Sequence, residues 1–119
     1  MLRHLRPIAL FGALLVAACA SELPLSLPVG ATLVVFDADY GSTRTLTPLD
    51  GAYYSLERWV ANNRTGWSRY SYTTPSRGIF VRGGGLYLQF QGSSVLVTTP
   101  DGVFAKSVPI SDYAFLKRQ

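Results

Sequence analysis

Three short glycine-bearing turns in the second half of the chain limit the topologies it can adopt. Gly83-Gly84-Gly85, Gly92-Ser93 and Pro100-Asp101-Gly102 each separate two short apolar segments. The segments are Ile79-Phe80-Val81, Leu86-Tyr87-Leu88-Gln89-Phe90, Val95-Leu96-Val97 and Val103-Phe104-Ala105. Turns this short cannot make the crossover that parallel neighbours need, so the segments read as antiparallel hairpins in series. Strand side chains alternate, which puts Leu86, Leu88 and Phe90 on one face. Trp67 to Thr73 also has a period of two. Upstream, Thr32-Leu33-Val34-Val35-Phe36 is a continuous apolar run expected as a buried strand, ended by the turn formers from Asp37 to Ser42.

Between these strand signals the period becomes helical. Thr47-Pro48-Leu49-Asp50 has a capping threonine, a proline suited to the first helical position and a carboxylate placed for a capping box. Leu49, Ala52, Tyr53, Leu56 and Val60 follow at spacings of three and four, with Glu57 and Arg58 outward. Asn62-Asn63 is expected to stop the helix, since Asn tolerates the left-handed C-terminal position. Ser111 to Lys117 is a candidate for a final helical turn. The fold class expected is α+β: a small antiparallel β-meander of about five strands with one amphipathic helix packed on one face.

The N-terminus carries a different signal. Arg3, His4 and Arg6 precede an uncharged run from Ile8 to Ala18. That run fits the middle of a secretory signal and is shorter than the ~20 residues a membrane-crossing helix needs. Leu14-Leu15-Val16-Ala17-Ala18-Cys19 resembles the lipobox of bacterial lipoproteins, with an aliphatic residue three positions before the cysteine and small residues beside it. Val16 stands where that family more often has Leu. The resemblance implies removal of residues 1–18 and acylation of Cys19 with palmitate-type chains. Ala20 rather than Asp after the cysteine implies the outer membrane, lipid-anchored and facing the periplasm. The organisation expected is therefore a signal peptide over 1–18, a lipidated cysteine with a Pro-rich tether over 19–31, and a single α+β domain over 32–119. The tether, with Pro24, Pro28 and Gly30, is read as semi-extended at ~3 Å per residue.

The remaining chain has little chemistry to offer. Cys19 is the only cysteine, so no disulfide forms and stability must come from packing. His4, the only histidine, leaves with the signal, and with it goes any imidazole base or His/Cys zinc site. Loss of Arg3 and Arg6 halves the formal charge from +4 to +2, too little to suggest nucleic acid as a partner. No cofactor and no metal are expected.

Val34-Val35-Phe36-Asp37-Ala38-Asp39 resembles the first motif of haloacid dehalogenase-like phosphatases, in which a strand delivers an aspartate nucleophile with a second acid two residues on. That resemblance implies a magnesium-dependent phosphatase or hydrolase using Asp37 and Asp39. It also implies a parallel sheet, a lysine and a late acidic pair. Here Gly41 stands where the family has threonine, the only lysines are Lys106 and Lys117, and no two acids are adjacent. A calcium loop starting at Asp37 would place Ser42 at the required glycine and Pro48 at the closing glutamate. Lys106 and Ser107, as strand neighbours, point to opposite faces. Asp50 and Glu57 lie two helical turns apart, with Asp50 already used for capping. Asn63-Arg64-Thr65 fits a glycosylation acceptor, which a bacterial lipoprotein does not use.

A richer stretch runs from Arg58 to Arg82. Arg64, Arg69, Arg77 and Arg82 alternate with Trp59, Trp67, Tyr70 and Tyr72, without an acid after Glu57. Arg, Trp and Tyr anchor interfaces because each joins a large apolar area to a polar handle, and guanidinium forks suit carboxylates and phosphates. Arg64, Trp67, Arg69, Arg77 and Arg82 are thus the candidate partner-binding residues, for an envelope protein or an anionic envelope polymer. The function expected is a non-enzymatic binding module, serving envelope assembly or secretion, or acting as an inhibitor or immunity-type protein. A small phosphatase or hydrolase is the alternative.

Overall fold

The computed structural model describes residues 22–117; the signal and Cys19 lie outside them. The elements in order are β1 (Leu33–Asp37), β2 (Ser42–Leu46), α1 (Gly51–Asn62), β3 (Ser68–Arg69), β4 (Ile79–Gly83), β5 (Leu86–Gln91), β6 (Ser94–Thr99), β7 (Gly102–Ser107) and a 3₁₀ helix (Ile110–Leu116). The glycine turns do what their chemistry requires. Gly83 pairs with Leu86, and between them Gly84 and Gly85 take φ of 54° and 90°. Two consecutive positive φ angles match the right-handed twist of the flanking strands. The chain is α+β: seven antiparallel strands in one sheet, in the order β2-β1-β4-β5-β6-β7-β3, with α1 packed against it.

The expected count of about five strands is too low chiefly because of β2. Its sequence, Ser-Thr-Arg-Thr-Leu, has no apolar alternation and forms a strand through its pairing with β1. β3 is shorter than the alternation over residues 67–73 suggested. β1 has antiparallel neighbours on both sides, so the parallel sheet implied by the phosphatase resemblance is absent among the described strands.

Two connections cross the sheet on opposite faces. From edge strand β2 the chain crosses one face as α1 and joins the other edge as β3. Residues 70–78 then return over the opposite face to reach β4. On the helix side Leu33, Val35, Val81, Leu88, Phe90, Val95 and Val97 meet Tyr53, Leu56, Trp59 and Val60 of α1. The Phe90 ring lies 5.0 Å from both Trp59 and Tyr113. Each such burial contributes about 1.5–3 kcal/mol, which lets the domain hold together without a disulfide.

The helix begins later than expected. The reciprocal capping bonds do form: Asp50 Oδ2 accepts from Thr47 N at 2.7 Å, and Leu49 N donates to Thr47 Oγ1 at 3.3 Å. They close an isolated turn, however, because Asp50 is extended (φ −84°, ψ 139°) and the helix starts at Gly51. Leu49 leaves the apolar stripe and is 96% exposed. At the other end Asn63 is not left-handed (φ −128°); its Nδ2 donates to Trp59 O at 2.8 Å.

Residues 22–31 do not stand away from the body as a tether. Leu23 N donates to Arg64 O at 2.8 Å, Leu25 is buried, and Tyr53 OH donates to Pro28 O at 3.1 Å. The Pro28 ring sits on Gly84, where a β-carbon would collide with it. Leu23, Leu25 and Leu27 supply the apolar contacts that dock this proline-spaced segment.

Candidate functional site

The sheet face away from α1 is divided in two. Over β5 and β6 it is covered by the strap of residues 70–78. Gln89 points to this face and is buried, its Nε2 donating to Pro75 O at 2.6 Å and Arg77 O at 2.9 Å. Its cross-strand partner Leu96 is buried as well. Such a buried amide is tolerable because it is hydrogen-bonded, and here it clamps the strap to the sheet.

Over β2, β1 and β4 the same face is open. Alternation places Val34 and Phe36 of β1, Phe80 and Arg82 of β4 and Tyr87 of β5 on it. Phe36 pairs with Phe80, and Arg82 pairs with both Val34 and Tyr87. The rings form a ladder, Phe36 to Phe80 at 6.2 Å and Phe80 to Tyr87 at 6.4 Å, the second pair edge-on. Phe36 is 36% exposed, Phe80 and Tyr87 are half-buried, and Arg82 is exposed. Thr43 and Thr45 of β2 continue the face to the sheet edge. No acidic residue occupies it among the described strands.

The candidate arginines do not gather into one patch. Arg82 lies on the open face. Arg69 lies on the helix side of β3, four strands away, its guanidinium 5.1 Å from the Phe104 ring and its Nη1 donating to Asp101 O at 3.1 Å. Four strand spacings are about 19 Å. Arg64 is exposed in the loop after α1, and Arg77 is exposed at the strap's end. Trp67 is a correction: it is 1% exposed, stacks edge-on against Trp59 at 6.4 Å and donates Nε1 to Asn63 O at 2.7 Å. It belongs to the core and cannot touch a partner. An alternating segment does not reveal which of its faces is covered.

Asp37 and Asp39 come together at the opposite end of β1, in a cleft of about 200 Å³ shared with Tyr113 and Lys117. One oxygen of each has a structural partner. Asp37 Oδ1 accepts from Asp39 N at 3.0 Å and Tyr40 N at 3.3 Å, closing the turn. Asp39 Oδ1 accepts from Gly78 N at 3.3 Å, tying that turn to the end of the strap. Burial, and then the Asp39 charge, push the Tyr113 phenol above its ordinary range, and its OH donates to Gly92 O at 2.6 Å. Among the described residues no three His, Cys, Asp or Glu side chains lie together as a metal site. Lys106 Nζ donates to Thr65 O at 2.7 Å, while Ser107 takes the other face of β7.

The ladder of Phe36, Phe80 and Tyr87 was not among the candidates read from sequence. The only local hint was a large aromatic in each of three strands, which a strand buried on both faces would show equally. No family model, curated protein or solved structure matches the chain.

Proposed function

We propose that this protein is an outer-membrane lipoprotein whose head is a non-enzymatic binding module for an envelope component. The observation that carries the reading is the open half of the sheet: an aromatic ladder left partly in water beside Arg82, on a face without carboxylates. Flat aromatic area with one cation and bordering threonines suits an anionic partner, either an acidic protein surface or a glycan bearing carboxylates or phosphates. The membrane attachment rests on the lipobox resemblance at Cys19. A catalytic role for Asp37 and Asp39 draws less support, because Asp37 Oδ1 closes the turn and Asp39 Oδ1 ties it to Gly78.

The test is a cross-linked pull-down from whole envelopes with a Phe36→Ser, Arg82→Glu variant. Both side chains are exposed, so its melting temperature should stay close to that of the parent. Co-purification of the envelope component is expected to fall at least tenfold. Full retention of that component by a folded variant would overturn the assignment of this face.

A further inference from the structure

The sheet has two ends, and one of them collects the features of a membrane contact. Leu33 at the start of β1 pairs with Leu46 at the end of β2, and Gly83 pairs with Leu86. Thr99 pairs with Gly102, so the turns Gly84-Gly85 and Pro100-Asp101 also lie at this end. The segment 22–31 is docked across it, with Leu23 held to Arg64. The chain therefore leads back toward Cys19 from this end. Cys19 is four residues before Leu23, a reach of about 14 Å even when fully extended.

The same end carries the two most solvent-exposed aliphatic side chains among the described residues. Val29, 103% exposed, is in the turn closed by Ala31 N donating to Pro28 O. Leu49, 96% exposed, is in the turn closed by Asp50 N donating to Thr47 O. Both sit on hydrogen-bonded turns that hold them away from the core. Between segment 22–31 and the two hairpin turns opens a cleft of about 270 Å³, lined by Leu23, Leu25, Leu86, Val97 and Pro100 among others. Charge at this end is mixed, with Arg82 on the last exposed position of β4, Asp50 in the turn that carries Leu49 and Asp101 in the hairpin turn. Two apolar tips at the end that leads back to the anchor match a bilayer surface, where such tips enter the boundary of the acyl region.

We infer that this end of the sheet rests on the bilayer, with Val29 and Leu49 inserted at the lipid surface, so that the head lies against the membrane in one fixed orientation. The inference rests on the anchorage at Cys19 proposed above. It is tested with full-length protein carrying Val29→Cys, Leu49→Cys or, as a control, Ser93→Cys in the turn at the opposite end. Acylation occupies the Cys19 thiol, so an environment-sensitive dye labels only the new cysteine. The labelled proteins are reconstituted into vesicles of phosphatidylethanolamine and phosphatidylglycerol, with and without quencher-bearing lipid. Emission from positions 29 and 49 should shift to the blue and be quenched several-fold more than emission from position 93. Vesicle-bound protein whose three probes are quenched alike overturns the orientation and leaves the anchorage standing. Protein that fails to float with the vesicles and carries an unmodified Cys19 by mass spectrometry overturns the anchorage, and the orientation with it.

Discussion

Two tryptophans show how differently one residue type can serve the same core. Trp67 donates its indole N–H to Asn63 O at 2.7 Å, whereas Trp59 Nε1 is buried without an acceptor among the described residues. Replacing Trp67 by Phe leaves a carbonyl unpaired, a loss of about 1–3 kcal/mol on top of packing. Replacing Trp59 by Phe removes an unpaired donor, so its cost is reduced to packing. Guanidinium unfolding should therefore rank Trp67→Phe as the more damaging change; the reverse order would contradict the hydrogen-bond assignment. Tyr113 gives the fold a pH dependence. Burial and the Asp39 charge raise its folded pKa, so the folded state holds this proton more tightly than the unfolded chain. Its contribution is complete below the unfolded value, about 10, and is lost as pH rises through the folded one. Urea midpoints should fall on the alkaline side of that value. Tyr113→Phe should flatten the decline while lowering stability near neutrality, since the bond to Gly92 O is gone.

At the scale of elements, the strap of residues 70–78 is tied at its ends by Tyr70 and Gly78 and clamped to the sheet between them by Gln89. Gln89→Leu frees both strap carbonyls from their donor and should cost about 1–3 kcal/mol. Proteolysis within residues 70–78 should accelerate in this variant while cleavage elsewhere stays at parent levels. The sequence made some elements legible and hid others for physical reasons. The hairpins from β4 to β7 could be read because turn chemistry is local: glycine takes a positive φ wherever it stands. The helix was legible from Tyr53 to Val60, but its start was misplaced because the Thr47–Asp50 capping bonds serve equally well around a lone turn. β2 could not be read, since Ser42 to Thr45 are polar and become strand only against β1. Trp67 was misassigned for want of the α1 packing that buries it. The Phe36–Phe80 ladder depends on a register between strands more than forty residues apart, and no local pattern specifies that.

For the whole molecule, the reassignment of residues 22–31 from tether to body matters most. Leu25 is 5% exposed, so Leu25→Ala should destabilise the entire domain by about 2–5 kcal/mol. A free linker would show no change in melting temperature, and that result would refute the docking. The order of the strands has a further consequence for how the protein reaches this state. β1 needs β4, and β3, which follows α1, has no neighbour until β7 arrives. A nascent chain released segment by segment from its N-terminus would complete the pairing of its first hairpin only when β4 emerged, and would leave β3 unpaired until β7, the last strand. That edge of the sheet is the last to close, and the segment that leads out of the helix has no strand to join until the final hairpin is made.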